Sequence, residues 1–190
     1  MKKTLVVIAH LDDEISIAGT IIKLANHDPK NIKIVSLCCG RNKENGIERV
    51  TAFNNAWGKY NIKYSIHNNY DMELEKVLLK DITKIIEDHI DFFDPHVVLT
   101  VCGNDLHQDH KIINHATKIA CRASRSNVKE LYEFKIPTIE VYSNTYFDTV
   151  INISDVFELK KTISDCYISE NKIPIKQNEY FKTLYRKLNL

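Results

Sequence analysis

The first half of the chain alternates short apolar runs with stretches patterned at helical spacing. Residues 4–9 (TLVVIA) form a β-branched run that reads as a strand. After a polar loop, Ile17, Ile21, Leu24 and Ala25 recur on one helical face. Residues 32–38 (IKIVSLC) read as a second strand, 48–57 as a helix, and 62–66 as a shorter, more polar third strand. Across 72–90 the apolar positions Leu74, Val77, Leu78, Ile82, Ile85 and Ile86 predict an amphipathic helix. Pro95 then introduces a fourth, apolar strand over 96–102 (HVVLTVC). From Glu130 onward the pattern changes to short extended pieces at 138–142 and 150–153, a polar helix over 155–166 and a basic helix near 177–188.

Continuous apolar strands separated by helices predict an α/β fold: a three-layer, Rossmann-like, mostly parallel sheet with helices on both faces. No repeat, low-complexity tract or linker interrupts the chain, so residues 1–190 are expected to form a single domain. Lys and Arg total 26 against 25 Asp and Glu, for a net charge of +1, which supplies no field for nucleic acid or an anionic membrane. No apolar stretch approaches the ~20 residues needed to span a bilayer, and the run before His10 is too short for a secretion signal. The five cysteines show neither metal-type pairs nor a disulfide framework. They read as packed thiols in a protein of the reducing cytoplasm.

Two polar loops follow strands one and four. His10-Leu11-Asp12-Asp13-Glu14 stands at the carboxyl end of the first strand, where open α/β sheets place their ligands. An imidazole at His10 and a carboxylate at Asp13, three residues apart, can converge on one metal if the loop turns helically. Asp12 then points elsewhere, as a general base must. The same residues also fit a simple helix N-cap. The second loop, Gly103-Asn104-Asp105-Leu106-His107-Gln108-Asp109-His110, pairs His107 with His110 at the same spacing. Asp109 between them can accept a ring N–H and fix a tautomer. A polar helix entry with surface histidines is the plainer alternative. If the strand order is 3-2-1-4, the two loops face each other, and His10, Asp13 and His110 make a two-nitrogen, one-oxygen set with an open position. That is the composition of a catalytic zinc site.

Ala9-His10-Leu11-Asp12-Asp13-Glu14 and His107-Gln108-Asp109-His110 resemble the paired signatures of the PIG-L / LmbE-like family of zinc-dependent N-acetylglucosaminyl deacetylases. The resemblance implies zinc as cofactor, held by His10, Asp13 and His110. It further implies Asp12 as general base, His107 as stabiliser of the transition state, and Asp109 within the catalytic set. Arg49 and Asp71 resemble residues that contact sugar hydroxyls, although each also fits a solvated surface charge. Similarity continues weakly through 147–154, Lys161 and 167–169. Leu11 replaces the usual proline, Cys39-Gly40-Arg41 stands where relatives usually have a Gly-Glu pair, and Ala52 replaces a common glutamate.

The implied partner is a small acetamido sugar or its conjugate, with no nucleic acid and no integral membrane segment, and a homo-oligomer is compatible with the sequence. Two other readings stand beside it: the same fold hydrolysing a different amide, and a non-catalytic metal-dependent binding protein. A nucleotide-binding reading fails because the first strand–helix turn lacks G-x-G-x-x-G.

Overall fold

The computed structural model describes residues 2–137, 139–142, 144–168 and 175–186. Strands β1 (Thr4–Ile8), β2 (Ile32–Gly40), β3 (Lys63–Tyr70), β4 (Val97–Val101) and β5 (Glu130–Phe134) run parallel. Strand β7 (Asn178–Arg186) lies antiparallel to β5, and β6 (Thr149–Asn152) antiparallel to β7. The sheet order is β3-β2-β1-β4-β5-β7-β6, so the chain reverses direction across the sheet between β1 and β4. The expected order of the first four strands holds.

Among the described residues five helices cover this sheet: α1 (Ala18–His27), α2 (Lys43–Trp57), α3 (Leu79–Phe93), α4 (Gln108–Ala120) and α5 (Phe157–Ser164). Right-handed crossovers send the helices after β1 and β2 to one face and those after β3 and β4 to the other. Accordingly α5 packs against α1 and α2, while α3 packs against α4. Burial on both faces explains the apolar strands: all five β1 residues are buried, as are Val98, Leu99 and Val101 of β4. None of the five cysteines forms a disulfide, and no helix among the described residues is long and apolar enough to cross a membrane.

Several elements differ from expectation: β3 runs on to Tyr70, and in place of a strand over 138–142 the described residues 139–142 hold a single bridge, at Val141. Helix α2 begins at Lys43 because Asn42 caps it, its side chain accepting the Asn45 N–H at 2.9 Å. Helix α3 begins only at Leu79. The preceding segment is held out of helix by Met72, whose φ is 63° and whose N–H donates to Asp109 Oδ2 at 2.7 Å. The basic helix expected near 177–188 is instead strand β7. There the alternation of buried Glu179 and Phe181 with exposed Asn178 and Tyr180 outweighs helix-favouring lysines and leucines. Residues 187–188, Thr138 and Ser169 lie outside the described residues.

Candidate active site

The loop after β1 is folded by its own carboxylates. Asp13 Oδ2 accepts the N–H groups of Ala9 (3.0 Å) and His10 (2.9 Å), turning the chain sharply into the short 3-10 helix Asp13–Ile17. Asp12 sits at φ 155° and makes no side-chain capping bond, so the N-cap reading of this loop does not hold. Its strained backbone is braced from below: the Asp12 N–H donates to Glu14 Oε2 at 3.0 Å. Glu14 is fully buried and also accepts hydrogen bonds from Trp57 Nε1 (3.1 Å) and the Tyr167 hydroxyl.

Both histidines of the expected metal set are clamped on their outer side. His10 Nε2 lies 2.9 Å from Asp109 Oδ2, and His110 Nδ1 lies 2.6 Å from Asp105 Oδ2. Each ring therefore turns its other nitrogen toward Asp13: His10 Nδ1 is 3.7 Å from Oδ2 and His110 Nε2 is 3.2 Å from Oδ1. The latter approach lacks hydrogen-bond geometry, which leaves His110 Nε2 buried without a partner. His107 completes the cluster, stacked on His110 with ring centres 4.4 Å apart and edge-on to His10 at 4.6 Å. Ligand atoms of His10, His107 and His110 fall within 4.8 Å of one another.

These donors fit a divalent metal such as zinc. Carboxylates behind two histidines set tautomer and direction, and the inner nitrogens approach Asp13, His110 Nε2 at Oδ1 and His10 Nδ1 at Oδ2. A second convergent triple, His10, Cys38 and Asp71, fits poorly because burial and the nearby carboxylates push the Cys38 thiol far up, away from the thiolate a metal requires.

Electrostatics divide the cluster by role. Burial alone would lower the pKa of His10, but its hydrogen bond to Asp109 and the Asp13 carboxylate raise it to about 10. The same opposition, with Asp13 and Asp105 prevailing over burial, lifts His110 to about 9. Burial also works against ionisation of Asp13, yet the charges of His110 and His10 hold its carboxyl well below the usual range. Asp12 goes the other way, pushed up to about 8 by burial and the Asp13 charge against the pull of Arg49. Burial and the neighbouring histidines lower His107 to about 4, so it is a neutral ring.

Arg49 and Asp71 are brought to this centre. Arg49 is only 4% exposed, with Nη1 3.0 Å from Asp71 Oδ2 and Nη2 3.6 Å from Asp12 Oδ2, which excludes the surface-charge reading. A cavity of about 450 Å³ opens above the cluster, with His10, Asp12, Asp13, His107 and His110 at its floor and Ile136 and Ile139 on its wall. Four buried polar atoms that have no partner belong to residues lining it: Ser16 Oγ, Asp71 Oδ1, His107 Nδ1 and His110 Nε2. Unpaired buried polar groups concentrated at one cavity mark a place where a ligand supplies the missing bonds.

Every residue expected at the site from sequence is therefore found there, but Asp109 acts across the cleft. It clamps His10 rather than a histidine of its own motif, and the carboxylate that fixes His110 is Asp105. Asp105 and the Glu14 brace were not singled out from sequence. Asp105 was findable, since a carboxylate five residues before a ligand histidine at a helix entry can reach back to its ring. The Glu14 contacts with Trp57 and Tyr167 span 43 and 153 residues and leave no local signal.

Comparison with known proteins identifies the fold and the family. Among solved structures, the chain is similar to the zinc-inhibited form of a teicoplanin deacetylase (TM-score 0.74, 13% identity, 98% of this chain and 100% of that one). It is also similar to the N,N'-diacetylchitobiose deacetylase from Pyrococcus horikoshii (0.67, 17%, 96% and 84%). A third similar structure is the 4-carboxy-2-hydroxymuconate hydratase from Pseudomonas putida KT2440 (0.72, 16%, 100% and 99%). At these identities the likeness establishes the fold. No curated protein sequence matches the chain. A family model described as GlcNAc-PI de-N-acetylase matches residues 5–121, which take in both histidine–aspartate loops together with Arg49 and Asp71, and the chain accordingly belongs to the PIG-L family.

Proposed function

We propose that this protein is a zinc-dependent hydrolase that removes the N-acetyl group from an N-acetylglucosamine-type amino sugar or its conjugate. The observation that carries the reading is the pair of carboxylate-clamped histidines whose inner nitrogens converge on Asp13. His10, Asp13 and His110 would hold the metal. When bound, a divalent metal supplies Lewis acidity, making water more acidic and a carbonyl more electrophilic. Because the fold also hosts a hydratase, the activity rests on these residues and on family membership.

The chain's own groups account for the rest of the hydrolysis. Asp12, beside the ligand set and 3.6 Å from Arg49, accepts a proton from the attacking water. A C–O bond forms at the acetyl carbon, the C–N bond breaks, and the proton passes to the departing amine, giving acetate and the free amino sugar. His107 is held neutral, so it offers a ring N–H to the carbonyl oxygen as negative charge develops. Arg49, held by Asp71, presents donors to sugar hydroxyls. A binding protein without turnover would need neither Asp12 nor His107 at the cavity, and hydrolysis of a different amide would use the same groups. The thiols, none of them in a disulfide, fit a cytoplasmic setting.

Acetate release from a panel of acetamido sugars and simple amides tests the reading. The zinc-loaded protein is expected to release acetate from a sugar, to stop after chelation, and to recover on zinc addition. Turnover of the simple amides without any sugar would refute the sugar assignment.

A further inference from the structure

The base of the proposed reaction stands on a backbone that its own loop does not hold. Asp12 precedes the 3-10 helix Asp13–Ile17 with φ 155° and ψ −20°, and its carboxylate makes no capping bond to that helix. In a complete capping box the first residue's side chain bonds forward into the helix, while a glutamate bonds back to the first residue's N–H. Only the backward bond is present here, with Glu14 Oε2 accepting the Asp12 N–H at 3.0 Å. The Asp12 carboxylate is spared from capping and lines the cavity instead. Its direction therefore depends on where Glu14 is held.

Glu14 is held from two distant parts of the chain. Its other oxygen, Oε1, accepts Trp57 Nε1 from the end of α2 at 3.1 Å and the Tyr167 hydroxyl from the turn after α5. All three residues are buried. With two donors on one oxygen, the carboxylate is fixed in rotation and keeps Oε2 aimed at the Asp12 N–H. Tyr167 is set in turn by the end of α5, where its N–H donates to the Ser164 carbonyl at 3.1 Å. Lys160 ties α5 to the same loop a second time, Nζ donating to the Ser16 carbonyl at 2.9 Å.

A buried carboxylate carries a desolvation cost that an apolar side chain of similar size would avoid. What the carboxylate alone can do is gather three donors, and the one at the cavity belongs to Asp12.

Resting on the deacetylase reading, we propose that Tyr167 is a positioning residue for hydrolysis. Through Glu14 it sets the backbone of Asp12 and so aims the base carboxylate at the attacking water. Tyr167 lies behind the loop and not at the cavity, and no proton of the reaction passes through it. The segment beyond residue 121, where the match to the family model ends, thereby takes part in the chemistry.

The test measures kcat, KM and zinc content for Tyr167→Phe and Glu14→Gln, each made in the wild type and in Asp12→Ala. In Glu14→Gln the amide oxygen can keep Trp57 and Tyr167, while the amide nitrogen is a donor and cannot accept the Asp12 N–H. A displaced base should cost Glu14→Gln about 10²-fold in kcat, with KM and zinc content unchanged. Tyr167→Phe removes one of the two donors on Oε1 and should lose about tenfold in the same way. With Asp12→Ala already in place neither change should lower the rate further, because no base is left to aim. A loss of equal size in the Asp12→Ala background, a loss confined to KM, or an unchanged kcat in Tyr167→Phe would overturn the proposal. Should Glu14→Gln fail to fold, Tyr167→Phe carries the test alone. Hydrogen exchange of the Asp12 amide, followed by NMR, is independent of turnover and should quicken in both variants; unchanged exchange would overturn the proposal. Quicker exchange, without acetate release from any acetamido sugar by the wild type, would uphold the hold on Asp12 and overturn the deacetylase reading.

Discussion

Two groups of buried charge, one at the start of the first helix and one at the ends of β1 and β4, differ in whether their bonds are complete. Glu179 of β7 accepts the N–H groups of Gly19 (2.9 Å) and Thr20 (2.8 Å), the Thr20 hydroxyl, and Lys160 Nζ at 2.6 Å. Lys160 also donates to the Ser16 carbonyl at 2.9 Å. Both residues are 2% exposed, and together they pin the start of α1 to α5 and the antiparallel part of the sheet. At the histidine cluster, by contrast, His107 Nδ1 and Asp71 Oδ1 are buried without a hydrogen-bond partner, and His110 Nε2 faces only the Asp13 carboxylate, at 3.2 Å and without hydrogen-bond geometry. A buried charge with a full set of partners stabilises a fold; one with an open valence facing a cavity is held ready for a ligand.

The sharpest way to break this contrast is to remove one partner from each group. Glu179→Gln leaves the Lys160 ammonium buried without its counter-charge, and breaking such a pair costs about 3–5 kcal/mol. Thermal denaturation should show a large fall in Tm with and without zinc. Asp13→Asn removes the charge between His10 and His110, so it should lower the Tm of the metal-free protein by less than Glu179→Gln does while abolishing stabilisation by zinc. A comparable fall in both metal-free variants would erase the distinction.

A smaller effect is expected one step out from the metal. Asp105→Asn keeps the shape of the group behind His110 but weakens its hold on the ring, and losses of this kind run to roughly 10–100-fold in metal affinity. Competition against a chelating dye would measure it. Asp109→Asn should act similarly through His10. Unchanged zinc affinity in both would mean that the carboxylates serve packing alone.

The smallest predicted effect is one of protons. In the metal-free protein His10 and His110 titrate at about 10 and about 9, so both carry a proton at pH 7. A metal needs their neutral form, so zinc binding should release about two protons, readable by calorimetry in buffers of different ionisation enthalpy. The stability effect has a fixed sign. Raised histidine pKa values favour the folded state below the unfolded value of about 6.5, and that gain is lost as pH rises through 9 to 10. Asp12, raised to about 8, acts in the same direction. The Tm of the metal-free protein should therefore fall between pH 7 and pH 10, and the zinc-loaded form should fall less.

The same contrast explains what was legible in the sequence. Strands β1, β2 and β4 read clearly because burial on both faces demands continuous apolar runs. The candidate residues of the two loops read clearly because two short motifs concentrate them at the ends of adjacent strands. The saturated pair could not be read: Lys160 and Glu179 sit among ordinary polar residues, and their partnership exists only because β7 returns antiparallel to β5. Strand β7 itself resembled a basic helix, since period-two burial over nine residues is easily masked by long amphipathic side chains. Arg49 fitted a solvated surface charge as well as a sugar contact for the related reason that its partners, Asp12 and Asp71, lie 37 and 22 residues away.

The central claim, that His10, Asp13 and His110 hold a metal while Asp12 does the proton work beside it, is tested most directly by separating those functions in one pair of variants. Metal content and acetate release would be measured together for the wild type, Asp12→Ala and Asp13→Ala after loading with zinc. The account predicts that Asp12→Ala keeps its zinc and loses at least ~10²-fold in rate, while Asp13→Ala loses both. Full activity in Asp12→Ala, or zinc retained at wild-type affinity in Asp13→Ala, would contradict it.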